Sequence, residues 1–216
     1  MSAWLEHPLL AEAGVRHGFG LRGSPEYPDV RRAHQVHGAR VVTADVPGEL
    51  GDADAMLATR PGVVVGIVTA DCAPVLVAAG GAVAAVHAGW RGLAAGVIPS
   101  ALEALRERAA VAEPVAVVGP CIGMCCYEVD TPVLDALHRR FGDALAGALT
   151  PTRAGHARLD LPGLARAALI TAGCAPEAVG VVADACTRCD AERFHSFRRD
   201  GAAAGRLLSW IEAPER

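Results

Sequence analysis

The sequence predicts a mixed α/β protein of the α+β kind, a single domain over residues 1–216, and three observations point to it. Apolar runs of strand length follow one another without regular helical crossovers, which favours mixed sheets over a doubly wound fold. Helical spacing is scarce in the first third of the chain. The 216 residues, 22.2 kDa in mass, suffice for one sizeable core and are short for two.

Taken in order, residues 15–20 and 40–46 read as short strands, parted by a Pro-rich stretch at 23–29 that can only be loop. Residues 63–70 and 75–79 are β-branched or small apolar runs, and 82–88 continues after Gly80-Gly81, so the two glycines mark a hairpin. From residue 93 to 109, Leu93, Val97, Ala101, Leu102, Leu105 and Ala109 recur at three- and four-residue spacing, predicting one amphipathic helix with Arg106 and Arg108 in its last turn. Residues 115–118 form a strand stopped by Gly119-Pro120. Thr131-Pro132 sets a capping hydroxyl before a helix reaching about Phe141, and Leu161-Pro162 opens another that ends near Gly173. Residues 179–183 and 206–211 are the last strands, and no repeat, linker or low-complexity segment intervenes.

Composition then removes whole classes of function. With 52% hydrophobic and 20% charged residues and a mean hydropathy of +0.29, the chain is no disordered segment. Its apolar stretches at 61–70 and 73–88 contain Gly or Pro and fall short of the ~20 residues of a membrane helix. A net charge of -4 argues against a nucleic-acid binder. All 20 basic residues are Arg, and neither Lys nor Asn occurs. Schiff-base chemistry, a Walker-type phosphate loop and a Cys-His-Asn triad are therefore impossible. Residues 1–10 lack the basic and apolar regions of a signal peptide, so the expected location is cytoplasmic. Seven Cys, an odd number in a chain of this size, favour reduced thiols over a disulfide framework.

Chemistry concentrates around three strings: QVHG ending at Gly38, TADC ending at Cys72, and HAGWRG starting at His87. If Gly80-Gly81 is a two-residue turn, cross-strand partners sum to 161 and Pro74 pairs with His87, Cys72 with Gly89. Cys72 and His87 are then diagonal neighbours on one face, about 7–8 Å apart at the backbone, and their side chains can converge. Polar groups at the ends of such buried strands cost free energy unless paired or bound to metal, although a free Cys or strand-end His is often plain core. In extended structure His34 and His37 face opposite ways, so one of them joins any single site. Two His and one Cys would leave zinc an open tetrahedral position, as in catalytic sites.

These strings resemble, in order and approximate spacing, the purine nucleoside phosphorylase family long labelled laccase-domain or polyphenol oxidase. Further matching blocks are Asp52 to Met56 (DADAM), GPCIG with CYEV around Cys126, LDL around Asp160, DACT from Asp184, and FRRD from Phe197. The resemblance runs from about residue 34 to 211. It implies zinc ligation by His37, Cys72 and His87 and a four-layer α/β/β/α sandwich. It also implies phosphorolysis of adenosine, inosine, guanosine and methylthioadenosine, with adenosine deamination. The N-terminal segment, about residues 1–33, is shorter than is usual in that family, and Arg22 is the residue there that matches.

The substrates so implied are a purine nucleoside and phosphate, with no nucleic-acid or membrane partner, for a monomer or small homo-oligomer. With no Lys present, a phosphate clamp would draw on Arg22, Arg91, Arg198 and Arg199, of which one or two are expected in the site, with Gln35 the only side-chain amide available. Cys72 and His87 are the expected catalytic groups, with Asp71 either a proton-transfer partner or an orienting residue. Zn2+ is the expected cofactor; copper is disfavoured, because four coppers need many paired His while this chain has eight, with one close pair. Two other readings stay open: a hydrolase with Cys72 as nucleophile and His87 as base, and a non-catalytic zinc-stabilised binding module. Cys186 and Cys189 form a C-x-x-C, and Cys121, Cys125 and Cys126 lie close together, but buried reduced thiols are preferred there over a structural zinc or redox pair. His138, on a helix, and His156, in a loop, are expected at the surface.

Overall fold

The computed structural model describes residues 3–109 and 113–215. In chain order it contains β1 (Trp4–Leu5), α1 (Pro8–Glu12), β2 (His17–Gly20), β3 (Val41–Thr43), β4 (Ala55–Ala58), β5 (Val64–Thr69), β6 (Ala73–Ala79) and β7 (Ala82–Ala88). There follow α2 (Trp90–Ala95), α3 (Val97–Arg106), β8 (Val115–Val118), β9 (Glu128–Asp130), α4 (Thr131–Phe141), β10 (Leu149–Pro151) and β11 (His156–Leu159). The chain closes with α5 (Leu161–Thr171), β12 (Val179–Val181), α6 (Phe197–Asp200) and β13 (Leu207–Glu212).

The mixed α/β class holds. A six-stranded sheet, β12-β8-β6-β7-β4-β3, is parallel at its two margins and antiparallel between them. Beside it lies an antiparallel sheet, β1-β2-β13-β5, and a smaller one, β10-β11-β9. Alternation along β6 and β7 sends Leu76, Ala78, Val83 and Ala85 toward the second sheet, against Phe19, Val65, Ile67 and Ile211. The opposite face, Val75, Val77, Ala84 and Val86, packs under Leu93, Leu102 and Leu105 of α2 and α3 and Leu164 of α5. Burial on both faces is why these strands are continuous apolar runs. The outer face of the second sheet is covered by the segment ahead of β3: Tyr27 stacks on Trp210 with ring centroids 3.9 Å apart, and Val30 fills the space above Gly66. Pro25 and Pro28 keep this outermost layer from being a helix. No helix among the described residues is long and apolar enough to cross a membrane.

The hairpin register is as the sequence implies: Pro74 pairs with His87 and Ala79 with Ala82, and Gly80 and Gly81 both have positive φ, 52° and 86°. Other expectations need correction. The helix expected over 93–109 starts at Trp90 and is two helices, because Gly96 takes a left-handed φ of 86° between them. Thr131 is inside α4 and its hydroxyl donates to Gly155 O, so it is no cap. The small sheet and β4 are absent from the sequence reading; their strands have three or four residues each. His156 belongs to β11, whereas His138 is exposed on α4 as expected.

Candidate functional site

Cys72 immediately precedes β6 and His87 is the penultimate residue of β7, so the hairpin brings both to one end of the six-stranded sheet. His37 reaches the same point from a loop, in a left-handed conformation with φ 60°. One donor atom from each of the three lies within 4.8 Å of the others. Gly89 lies across from Cys72, where a Cβ would stand 2.8 Å from Sγ and 3.4 Å from the His37 ring. The glycine is what leaves room for the convergence.

Asp54 holds this arrangement from behind. Its fully buried carboxylate accepts from His87 Nδ1 at 2.7 Å and from the backbone N–H of Val36, His37 and Gly38 at 3.2, 2.9 and 2.6 Å. One side chain thus fixes the His37 loop and, by occupying Nδ1, turns His87 Nε2 to the centre. Burial pushes the Asp54 carboxyl up, but His87 and the amide donors outweigh it and hold it below the usual range. Burial likewise pushes the Cys72 thiol up, yet hydrogen bonds and charge from His37 and His87 bring it down to about 7. For His87 burial acts downward, and Asp54 with Cys72 overcomes it, raising the imidazole to about 9.

Two imidazole nitrogens and one thiolate-prone sulfur, one imidazole backed by a carboxylate, match in number and chemistry the three protein donors zinc takes where a fourth position stays open. The centre opens onto a cleft of about 690 Å³, within the range of small-molecule sites. Trp90, Arg91, Tyr127, Phe197, Arg198 and Arg206 line it. Arg91 lies over the Trp90 ring at 4.4 Å, and Arg198 over Tyr127 at 5.1 Å while donating to Glu128 O at 3.0 Å.

The other expected site residues divide sharply. Of the four Arg, Arg91 and Arg198 face the cleft. Arg22 is spent on Phe194 O and Asp200, at 3.0 and 3.3 Å. Arg199 is tied to the carbonyls of Thr187, Arg188 and Phe194 and to Asp200. Residues 198 and 199 are neighbours on the helical turn α6, which sends their side chains in different directions. Gln35 borders the cleft, but its amide exchanges two hydrogen bonds with the Val68 backbone, at 2.9 and 2.8 Å. Asp71 stands at φ 88°, accepting from Thr187 Oγ1 and from the backbone N–H of Arg198, both at 2.6 Å. His34 pairs with Asp52 at 2.8 Å, so His37 alone of the close pair joins the centre, by a turn rather than by strand alternation.

Sequence reasoning assigned no role to Asp54 or Arg206. Asp54 had a signal, a carboxylate directly ahead of the buried run AMLA, where an unpaired charge could not persist. Arg206 carried none. Buried thiols are found at Cys121 and Cys174, but not at Cys125 and Cys189, which are exposed and gathered with Cys126 and Cys186.

Fold and centre together define a mixed α/β sandwich with a His-Cys-His donor set at the mouth of a cleft. The chain belongs to the family described as multi-copper polyphenol oxidoreductase laccase, whose model matches residues 21–213. It is 40% identical over 215 residues to the purine nucleoside phosphorylase of Xylella fastidiosa strain Temecula1, covering 94% of this chain and 80% of that one. It is also 32% identical over 196 residues to adenosine deaminase RL5 of an unknown prokaryotic organism, covering 85% of this chain and 74% of the relative. Among solved structures, YlmD of Geobacillus stearothermophilus superposes with a TM-score of 0.84 at 26% identity, over 98% of this chain and 96% of that one.

Proposed function

We propose that this chain is a zinc-dependent purine nucleoside phosphorylase that also deaminates adenosine, with His37, Cys72 and His87 holding the metal. The observation that carries the reading is the convergence of these three donors, backed by Asp54, on a cleft of nucleoside size. The relatives named phosphorylase and deaminase support the reaction class. Zinc is preferred to copper because the described residues hold two metal-competent clusters, one with two His and one all Cys, and neither resembles a multi-histidine copper array.

When bound, zinc would supply a Lewis acid with one open position. The chain's own residues supply the rest. Arg91 and Arg198, the two cationic side chains expected in the cleft that face it, bind the phosphate that attacks the sugar carbon as the bond to the purine breaks. Arg206 adds a third positive charge to the lining of the cleft. Trp90 and Tyr127 line the cleft with the guanidinium groups of Arg91 and Arg198 stacked over their rings, which holds the two cations in place. Asp71 is a positioning residue: its carboxylate grips the first turn of α6 and so holds Arg198 at the cleft.

A second reading has one observation in its favour. A Cys72 thiol at about 7 beside an imidazole is also how a cysteine nucleophile is prepared. Chelator treatment followed by alkylation separates the two. The proposed function predicts that removing metal abolishes turnover, that zinc restores it, and that bound zinc shields Cys72 from iodoacetamide. Full turnover in metal-free protein, lost on stoichiometric alkylation of Cys72, would put the hydrolase in its place.

A further inference from the structure

We propose that Cys125, Cys126, Cys186 and Cys189 form a second metal site, a structural zinc centre of four thiolates that clamps together the two loops framing the cleft. Their sulfurs all lie within 4.8 Å of one another. Cys125 Sγ is 3.5 Å from Cys186 Sγ and 3.4 Å from Cys189 Sγ, and Cys126 Sγ is 3.2 Å from Cys189 Sγ. Zinc with thiolates at about 2.3 Å in tetrahedral array needs sulfurs about 3.8 Å apart, so a small outward adjustment completes the shell.

The backbone around the cluster is built as thiolate ligands require. Residues 121 and 186 form a β-bridge, and Thr187 N–H donates to Cys121 O at 3.1 Å, which sets the two loops side by side. Gly123 N–H donates to Cys186 Sγ at 3.3 Å, and Cys126 N–H donates back to Gly123 O at 2.9 Å, curling residues 123–126 around the sulfurs. Arg188 Nη1 lies 3.5 Å from Cys126 Sγ. Four thiols that lose their protons to bind one dication leave a net double negative charge, and this guanidinium offsets part of it. An all-sulfur set of four selects a soft tetrahedral metal. All four are free cysteines, and Cys125 Sγ stands almost equally near Cys186 and Cys189, an arrangement of four rather than of two separate pairs.

The clamp has a consequence at the cleft. One loop carries Ile122 and Tyr127 and the other leads to Phe197 and Arg198, all four of which line it. The spacing of these cysteines, a vicinal pair and a lone C-x-x-C, lacks two regular zinc knuckles, which is why the sequence reading ranked a metal here below reduced thiols.

The test is metal stoichiometry on the full chain loaded with zinc; the count of two rests on the proposed function, whereas the shielding of the four cysteines from alkylation does not. Two equivalents per chain are expected in the unaltered protein, one in Cys126→Ser/Cys189→Ser, and one in His37→Ala/His87→Ala. Cobalt substitution of the unaltered protein adds a measurement that needs no variant: a site of four thiolates gives sulfur-to-cobalt charge-transfer absorption about fourfold stronger than a site of one. Mass mapping after alkylation without reductant should find all four cysteines shielded by zinc and all four modified once a chelator removes it. The proposal is overturned by one equivalent of zinc in the unaltered protein with all four cysteines alkylated. It is equally overturned by a mass two or four hydrogens lower that dithiothreitol restores, which would make the cluster one or two redox pairs.

Discussion

The Asp54 carboxylate accepts His87 Nδ1 at 2.7 Å, and both side chains are almost completely excluded from solvent. The same carboxylate accepts the backbone N–H of His37 at 2.9 Å, so a single buried charge fixes two donors that lie fifty residues apart in the chain. Replacing Asp54 by Asn keeps the shape and removes the charge. Zinc affinity is expected to fall by roughly 10- to 100-fold, the range for partners of metal-bound histidines. Competition against a chromophoric chelator, with circular dichroism to confirm the fold, measures it.

Gly89 faces the Cys72 sulfur with no room for a methyl group. Its φ of -72° is one alanine adopts freely, so Gly89→Ala adds no backbone strain. The added Cβ must displace Cys72 or His37. Turnover is expected to drop by an order of magnitude or more while the melting temperature changes little. Steady-state kinetics beside a thermal melt distinguishes a displaced donor from a damaged fold.

Arg198 and Arg199 are adjacent and should behave oppositely. Arg198→Ala removes a cleft cation, and a lost charge-assisted hydrogen bond of about 1.5–3 kcal/mol should raise the phosphate KM at least roughly tenfold with little change in stability. Arg199→Ala releases the bonds that hold residues 187, 188 and 194. That variant should melt lower, by about 2–4 °C for each kcal/mol lost.

Asp45, remote from the centre, accepts from the hydroxyl and N–H of Thr59 at 2.6 and 2.7 Å and from Arg60 N–H at 3.2 Å. Burial pushes its carboxyl up, but these bonds and the Arg60 charge prevail and hold it below the usual value. A carboxyl depressed on folding adds stability that is present above its unfolded value of about 3.9 and is lost as pH falls through the folded one. Thr59→Val should therefore lower the melting temperature at neutral pH, and the gap to the unaltered protein should narrow on acidification below about pH 4.

The hairpin β6–β7 was legible because Gly80-Gly81 admits one tight register, and that register alone carries Cys72 and His87 to one face. His37 was legible as a residue but not in its geometry, since a left-handed φ at a non-glycine position leaves no mark in the sequence. The break at Gly96 was hidden because apolar spacing continues through it. Arg199 looked equal to Arg198 in the string FRRD, and only the helical turn of α6 separates an inward anchor from a cleft cation. The four-cysteine cluster was legible only as a less favoured alternative to reduced thiols, because its members come from two loops some sixty residues apart and their meeting is not set by spacing.

The most direct test of the central claim is chromatographic analysis of products after the zinc-loaded protein is incubated with adenosine, with and without phosphate, beside a Cys72→Ala control. The account predicts adenine and ribose 1-phosphate only when phosphate is present, inosine as a second product independent of phosphate, and neither from the control. Absence of both products above the control, or equal turnover by the control, would contradict it.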